Sequence, residues 1–303
     1  MFRSLVLGVA NRRLARRVAT GGLGRKVALR FVAGEDIEHA VEAIRAINEE
    51  GASASVDYLG ENVTDLEQAK VAAGVYLATL DRIATEGLSS GISVKLTQLG
   101  LDIDGSHAFD LIEGVVARAA EIRTAVTLDM EDHRYTERTA ETAVRLGTSH
   151  PGAVGVAIQA CLHRTPADLE RLIDARVQVR LCKGAYLEPR AIASRRRSEV
   201  DAAFARLANR LITSPSYAMI ATHDERLIDH VIKQAARTKR APGTYEFQML
   251  YGVRRELQRK LIADGYRVRI YVPFGSQWYP YLMRRIAERP ANVRFFLESL
   301  ARG

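Results

Sequence analysis

Near its carboxyl end the chain carries four polar side chains at helical spacing, namely Tyr281, Arg284, Arg285 and Glu288. Intervals of three, four and seven residues bring side chains onto one face of an α-helix. Two guanidinium groups beside a phenol suit a carboxylate ligand, because guanidinium can bind carboxylate through two parallel hydrogen bonds. The simpler alternative is a solvated basic face with one internal Arg–Glu pair, worth roughly a few tenths of a kcal/mol.

A second set of polar residues lies in or just after predicted β-strands. The set comprises Lys95, Asp129, Glu131, Gln159, Arg180, Lys183, Tyr186, Thr222, His223, Asp224, Glu246, Gln248 and Tyr271. A single buried polar residue is commonly satisfied by a backbone group and has a structural role. Seven adjacent strands that each supply at least one such residue are harder to explain by packing. The set therefore predicts a functional site at the carboxyl ends of the strands.

Short apolar runs alternate with longer helical stretches from about residue 53 onward, and near-continuous apolar strands are typical of buried parallel sheets. The predicted strands cover 53–59, 92–96, 126–129, 154–160, 177–183, 219–223, 245–250 and 267–272. The predicted helices cover 64–86, 107–123, 135–147, 167–175, 196–213, 225–238, 253–264 and 277–289. Eight such units predict an α/β fold, a TIM-like (β/α)8 barrel with its active site at the strand carboxyl ends. A doubly wound open sheet is the alternative.

The segment before the first strand is predicted to pack outside the barrel. Asp36 is a suitable N-cap for a helical run that continues to Glu50, and Asp224 is expected to cap a later helix. No Pro- or Gly-rich linker divides the chain. Residues 31–303 are therefore interpreted as one barrel domain, preceded by a basic extension or helix over residues 1–30.

Positive charge is concentrated at the start of the chain. Residues 1–30 carry eight of the 44 Lys and Arg and no acid, so the remaining 36 bases balance the 36 acids. A neutral body disfavours nucleic-acid binding, which uses clustered bases on the domain surface. The apolar run from Leu5 to Ala10 is short for a signal peptide, and arginines follow it. The basic segment is interpreted as a membrane-surface helix or a transit sequence, with a frayed extension as the simpler alternative.

The cysteines and the common motifs narrow the classes of site further. Cys161 and Cys182 have no CxxC spacing, which favours buried thiols in a reducing, cytoplasmic compartment. No GxGxxG follows a predicted strand and no HExxH is present, so neither a Rossmann nucleotide site nor a common zinc site is expected. Gly87–Gly91 matches GxSxG, but between a helix and a strand. This is the reverse of a nucleophile elbow, so the segment is interpreted as a loop.

Several segments resemble motifs of the proline dehydrogenase family, in the family's order. They are VKL at 94–96, IQA at 158–160, RLCKGAY at 180–186, ATH at 221–223, EFQMLYG at 246–252, RIYVPFG at 269–275 and YLMRRIAERPAN at 281–292. The resemblance spans residues 31–296. It implies a distorted (β/α)8 barrel that holds FAD non-covalently and oxidises L-proline, and the length is similar to that of the single-activity bacterial members.

The resemblance also implies a role for each matching residue. Arg284 and Arg285 would bind the proline carboxylate, and Glu61 would gate the site by pairing with Arg284. The pocket would be lined by Lys95, Asp129, Leu250, Tyr271 and Tyr281, and FAD would be held by Gln159, Arg180, Lys183, Gly184, Ala185, Tyr186, Thr222, His223 and Glu288. Electrons would pass on to a membrane quinone. Leu187 stands where the family often carries tryptophan, so the adenine contacts are not carried over.

Two other classes of function stay open at the level of sequence. Lys95 or Lys183 could form a Schiff base with a carbonyl substrate, as strand-end lysines do in aldolases. The barrel could also bind a ligand without catalysis. A bound flavin would disfavour the aldolase, and oxidation of a cyclic amino acid would disfavour the binding protein.

Overall fold

Eight parallel strands pair in chain order, and β1 closes the ring against β8. The computed structural model of the chain describes residues 29–279 and Tyr281. The strands are β1 (Ser53–Tyr58), β2 (Ser90–Val94), β3 (Val126–Leu128), β4 (Val154–Gln159), β5 (Gln178–Cys182), β6 (Ala218–Ala221), β7 (Tyr245–Leu250) and β8 (Val268–Phe274). The α-helices are α1 (Ile37–Glu49), α2 (Leu66–Thr85), α3 (Gly105–Glu121), α4 (Thr136–Ser149), α5 (Thr165–Asp174), α6 (Arg197–Ile212), α7 (Glu225–Arg237) and α8 (Arg255–Ala263). Short 3-10 helices cover Leu96–Leu99 and Pro242–Thr244.

The predicted (β/α)8 barrel is confirmed, and each predicted strand ends within two residues of the observed one. The doubly wound open sheet is wrong, because six residue pairs, from Ser53↔Arg269 to Tyr58↔Phe274, join the first strand to the last. Within Gly87–Gly91, residues 87–89 connect α2 to β2 as the loop interpretation requires, but Ser90 and Gly91 are the first two residues of β2, so the loop is shorter than predicted. The predicted eighth barrel helix, 277–289, lies mostly outside the described residues.

Helix α1 packs on the outside of the barrel against both β1 and β8. Ala40, Ile44 and Ile47 form its buried face. The predicted cap is present, because the Asp36 carboxylate accepts a hydrogen bond of 3.0 Å from the backbone N–H of His39. The Asp224 carboxylate caps α7 in the same way, at 3.3 Å from the N–H of Arg226. Both helix starts thus follow from short-range sequence signals.

The two faces of the strands differ in chemistry. Outward-facing side chains such as Val56, Ile92 and Leu181 are apolar and buried beneath the helices. Inward-facing positions alternate with them and are polar on most strands. They include Ser55, Asp57, Ser93, Arg180, Glu246, Gln248, Arg269 and Tyr271. The interiors of such barrels are usually filled by branched apolar residues, so this polar filling is the first structural sign of a site.

No helix among residues 29–279 is long and apolar enough to cross a membrane. Within the same residues, no group of His, Cys, Asp and Glu is arranged to hold a metal ion.

Candidate active site

Three charged side chains meet at the carboxyl-terminal mouth of the barrel. Lys95 directly follows β2, Asp57 is the fifth residue of β1, and Asp129 directly follows β3. The Lys95 Nζ lies 2.8 Å from Asp57 Oδ1 and 3.4 Å from Asp129 Oδ2. All three side chains are largely withdrawn from solvent, and that of Asp57 is fully buried. One ammonium therefore contacts two carboxylates in a poorly solvated space, and it neutralises only one of their two negative charges.

The electrostatics of this group keep Lys95 protonated. Burial lowers the pKa of the ammonium, but the charges of Asp57 and Asp129 outweigh burial and hold it well above its usual value. Burial also raises the pKa of Asp57, more than Lys95 lowers it. A Schiff-base lysine must be neutral to attack a carbonyl. The pairing of Lys95 therefore argues against the aldolase alternative at this position.

Asp129 collects donors from two further strands. The Tyr271 hydroxyl on β8 donates to its Oδ2 at 2.6 Å, and Arg180 Nη1 on β5 donates to its Oδ1 at 2.6 Å. Although burial works in the opposite direction, Lys95, Arg180 and Tyr271 together lower the pKa of Asp129. The carboxylate stays ionised, so it is a fixed acceptor and a weak base.

Arg180 is held in position from below by an amide. Its Nε donates to Gln248 Oε1 at 2.6 Å, and its Nη2 donates to Ser93 Oγ at 3.0 Å. Gln248 in turn donates from Nε2 to Glu246 Oε1 at 2.6 Å, which fixes which end of its amide faces the arginine. With these residues 4% exposed or less, the guanidinium plane has little freedom. Arg180 can therefore present a fixed positive charge beneath the mouth.

Glu246 does not belong to the mouth, although the sequence grouped it with the strand-end residues. It is the second residue of β7, near the opposite end of the barrel. Its carboxylate accepts a 2.6 Å hydrogen bond from Arg269 Nε and lies 3.1 Å from the Tyr217 hydroxyl. Its contribution to the mouth is indirect, through the orientation of Gln248.

The loop after β5 is anchored to the end of β4. Gln159 Oε1 accepts a hydrogen bond of 3.1 Å from the backbone N–H of Ala185, within the segment Lys183–Tyr186. Gly184 has φ +117°, and a Cβ there would lie 2.3 Å from Cys161 Sγ, so glycine is required. The segment is exposed at Gly184 and half-buried at Ala185 and Tyr186. A flat ligand could approach the backbone there without meeting a side chain at residue 184.

Lys183 lies at the edge of the mouth, and its ammonium is paired with two carboxylates. Asp201 of α6 is one partner, and Asp224 is the other at 3.1 Å. An ammonium has three protons, so this pairing leaves one for a ligand. Asp224 also donates its backbone N–H to the Thr222 hydroxyl at 3.1 Å. Lys183, Thr222 and the start of α7 therefore form one polar corner.

His223, which follows β6, forms a hydrogen bond with the end of β7. Its Nε2 accepts a 2.9 Å hydrogen bond from the backbone N–H of Leu250, which fixes the imidazole tautomer with the proton on Nδ1. Leu250 is half-buried at the carboxyl end of β7. The two residues were predicted for different ligands, the cofactor and the substrate, yet they are in direct contact.

The structure brings most of the sequence-predicted residues to one end of the barrel. Tyr281 is buried, Glu61 lies in the loop between β1 and α2, and Leu187 is 60% exposed on the loop after β5. Arg284, Arg285 and Glu288 lie outside the described residues, and so does the Arg284 side of the predicted Glu61–Arg284 gate.

Asp57 is the site residue that the sequence analysis missed. It lies in the middle of a predicted strand and not at its end, so the strand-end criterion does not select it. The available signal was alternation, because Ser53, Ser55 and Asp57 occupy every second position of the strand, with Ala54 and Val56 between them. The same pattern recurs as Glu246 and Gln248 on β7 and as Arg269 and Tyr271 on β8. Period-two polar residues in a buried parallel strand indicate a polar barrel interior.

The fold and this mouth define an α/β-barrel enzyme whose site is built from buried charges. The chain matches the family model for proline dehydrogenase over residues 40–297. It is 36% identical over 300 residues to proline dehydrogenase 1 of Bacillus subtilis (strain 168), with 99% of each chain covered. It is also 36% identical over 311 residues to proline dehydrogenase of Deinococcus radiodurans, covering 100% of this chain and 99% of that one. The chain therefore belongs to the proline dehydrogenase family, a family of oxidoreductases.

Solved structures agree on the fold. The proline utilization A protein (PutA) of Bdellovibrio bacteriovorus, inactivated by N-propargylglycine, superposes with a TM-score of 0.81. The match covers 87% of this chain and 32% of that much longer one, at 23% sequence identity. It supports the barrel architecture.

Proposed function

We propose that the protein oxidises L-proline to 1-pyrroline-5-carboxylate, the first step of proline catabolism. FAD, bound non-covalently, would supply the two-electron chemistry by accepting hydride from proline C5 at its N5. One observation carries the proposal beyond family membership. Asp129 is hydrogen-bonded at once to Tyr271, from the predicted substrate set, and to Arg180, from the predicted flavin set. Two residue sets identified from separate motifs thus converge on one carboxylate.

The residues present suit a flavin. Its pyrimidine edge carries carbonyl oxygens and becomes negatively charged on reduction, so fixed cations and N–H donors favour hydride acceptance. Arg180 and Lys183 supply cations on neighbouring parts of the mouth, and the exposed Gly184 leaves the loop backbone accessible. We assign FAD contacts to Gln159, Arg180, Lys183, Gly184, Ala185, Tyr186, Thr222, His223 and Glu288. With Leu187 exposed, the adenine end is left unassigned.

The substrate carboxylate is assigned to Arg284 and Arg285. Two guanidinium groups can offset the loss of hydration that a carboxylate suffers on entering a closed site. Glu61 would pair with Arg284 when the site is empty and release it when substrate enters. Lys95, Asp129, Leu250, Tyr271 and Tyr281 are assigned to the walls that orient the ring. Lys95, Asp129 and Tyr271 are already hydrogen-bonded to one another, so we assign them to orientation more than to reactivity.

Among the described residues assigned to the substrate pocket, neither Asp129 nor Lys95 is a strong base for the substrate amine. The pKa of Asp129 is lowered and Lys95 stays protonated, so neither is suited to take a proton near neutral pH. Proline is therefore expected to bind, or to lose its proton, as the free amine before hydride leaves C5.

A membrane quinone is proposed as the acceptor of the electrons that proline gives up. The basic residues 1–30 are proposed to make a peripheral contact with an anionic membrane surface. This contact would place a cytoplasmic enzyme on the inner face of the membrane. The support is the charge distribution, with eight bases and no acid in that segment.

The experiment that tests the function is an absorption spectrum of the purified protein, before and after anaerobic addition of L-proline. A flavin spectrum that bleaches with proline is the expected result. A flavin that stays oxidised would keep the cofactor and reject the substrate. A colourless protein that stays inert after FAD is supplied would reject the proposal as a whole.

A further inference from the structure

Glu131 is a buried carboxylic acid that neither the substrate set nor the cofactor set includes. It follows β3 by three residues and is 5% exposed. Its Oε2 accepts a 2.6 Å hydrogen bond from the Thr97 hydroxyl, and its Oε1 lies 3.0 Å from the same hydroxyl and 3.4 Å from the Thr97 backbone N. Burial of a carboxylic acid costs free energy unless hydrogen bonds replace its contacts with water, so such a residue is expected to have a structural or functional role.

Thr97 carries the contact onward to the loop that contains Glu61. Its hydroxyl accepts a 3.2 Å hydrogen bond from the backbone N–H of Asn62, and its carbonyl accepts one of 3.4 Å from that of Val63. Asn62 has φ +52°, a conformation that non-glycine residues adopt only when the surroundings hold it. Thr97 is therefore the anchor of the turn at residues 61–63.

The backbone of Glu131 carries a contact in the opposite direction. Its carbonyl accepts a 2.9 Å hydrogen bond from Gln159 Nε2, and Gln159 Oε1 accepts the N–H of Ala185 at 3.1 Å. Gln159 is 3% exposed, so these two bonds determine its amide orientation. Through Gln159, Glu131 reaches the segment Lys183–Tyr186.

We propose that Glu131 is a positioning residue that couples the turn at residues 61–63 to the segment Lys183–Tyr186. The side chain holds the first through Thr97, and the carbonyl holds the second through Gln159. Both contacts are made by one residue, which lies just after the short strand β3. Displacement of the turn at residues 61–63 should therefore shift the segment Lys183–Tyr186, and the reverse should also hold. The inference rests on the proposed function, in which the first segment gates the substrate and the second contacts FAD.

The charge environment supports this role. Burial raises the pKa of Glu131 to about 7, against the Thr97 hydrogen bonds and the charge of Lys95, while Glu61 raises it further. Two charged groups, Lys95 and Glu61, therefore act on this carboxyl from β2 and from the coupled turn itself. The ionised form is the better acceptor for the two Thr97 donors.

The test is amide hydrogen exchange of the whole protein, read by mass spectrometry in peptides covering 60–64 and 183–187. Glu131→Gln should speed exchange in both peptides by roughly tenfold, the effect of weakening one hydrogen bond. Thr97→Val should speed exchange in 60–64 more than in 183–187, and Thr97→Ser, which keeps the hydroxyl, should restore the wild-type rate. Glu141→Gln, an exposed acid on α4, is the matched control and should change neither peptide.

Kinetics separate positioning from general destabilisation. Thr97→Val should raise the proline KM with little change in kcat, whereas Glu131→Gln should raise KM and weaken FAD retention together. If peptide 183–187 of the Glu131→Gln variant exchanges its amide hydrogens at the wild-type rate, the coupling is overturned. If Glu131→Gln does not fold, equal exchange in Thr97→Val and wild type would overturn it instead. The two proposals can also fail separately. If Glu131→Gln speeds amide exchange in both peptides but proline does not reduce the flavin of the wild-type protein, the proposed function is rejected and the coupling is retained.

Discussion

Tyr271 donates its hydroxyl to Asp129 across 2.6 Å, from β8 to the residue after β3. Burial and the nearby carboxylates of Asp129 and Asp57 raise the pKa of the phenol well above its usual value, so Tyr271 stays a neutral donor. The Arg180 guanidinium also lies 5.4 Å from the centre of the Tyr271 ring. One hydrogen bond thus spans the mouth from β8 to the end of β3, and both of its residues are assigned to the substrate pocket.

Replacement of Tyr271 by phenylalanine is expected to reduce kcat/KM for proline by roughly ten- to a hundredfold. A hydrogen bond to a charged group contributes about 1.5–3 kcal/mol, and Asp129 would lose one of its three donors. The pKa of Asp129 should rise as a result. Steady-state kinetics over a range of pH would measure both effects. Tyr245→Phe, a buried tyrosine at the opposite end of the barrel, should leave kcat/KM unchanged, and equal losses in both variants would contradict the assignment.

The Lys95–Asp57 pair predicts a large effect on stability. Asp57→Asn should lower the free energy of unfolding by roughly 3–5 kcal/mol, because removal of one partner leaves a buried charge poorly compensated. The pKa of Lys95 should also fall, because Asp57 contributes to raising it. Urea unfolding would measure the first effect. Glu67→Gln, which breaks the exposed Lys70–Glu67 pair, should cost less than about 1 kcal/mol; similar costs for both would mean that burial does not strengthen the Lys95 pair.

Glu131 predicts a specific dependence of stability on pH. Its pKa is raised by burial from the ordinary 4.5 to about 7 in the folded protein, so the fold favours the protonated acid. This stabilisation is complete below pH 4.5 and is lost as pH rises through 7. The total change is on the order of 3 kcal/mol, at about 1.4 kcal/mol per pKa unit.

Glu131→Gln removes that titration. Urea unfolding of wild type and variant at pH 5 and pH 8 should show the variant gaining relative stability at the higher pH. Glu141→Gln serves as the control for a removed carboxylate. A difference between wild type and Glu131→Gln that is the same at both pH values would show that Glu131 titrates at an ordinary pKa.

The arginine pair of the carboxyl-terminal segment predicts an effect on substrate affinity. Arg284→Met or Arg285→Met should raise the proline KM by roughly ten- to a hundredfold, since each removes a charged hydrogen bond of about 1.5–3 kcal/mol. Steady-state kinetics at saturating acceptor would measure it. Arg255→Met, which removes an exposed arginine beside Glu50, should leave KM unchanged. An unchanged KM in both Arg284→Met and Arg285→Met would contradict the assignment of the proline carboxylate to these two arginines.

The basic amino-terminal segment predicts binding to anionic membranes. Conversion of Arg3, Arg12, Arg13, Arg16 and Arg17 to glutamine should weaken co-sedimentation with vesicles containing phosphatidylserine, at roughly 1 kcal/mol per charge near the surface. The control variant converts five exposed bases of the barrel, Arg176, Arg206, Lys233, Arg237 and Lys239, and carries the same change in net charge. Equal loss in the two variants would indicate binding by net charge alone.

Local sequence patterns were enough to predict the barrel, which the structure confirms, and to place the predicted site at the carboxyl ends of the strands. Strand and helix periodicity are local properties, and eight alternating units leave few ways to bury every strand on both faces. Short motifs likewise predicted Lys95, Asp129, Arg180 and Tyr271 as site residues, because each lies at the end of a predicted strand or inside a segment that resembles a family motif.

The pairing of buried charges could be seen only in the folded barrel. Asp57, Lys95 and Asp129 come from three different strands, and their pairing depends on barrel closure and on the strand register. The same holds for Glu246, which register places beside Arg269 and away from the mouth. Side-chain pairing between distant segments is set by geometry across the barrel, and no local pattern in the chain encodes it.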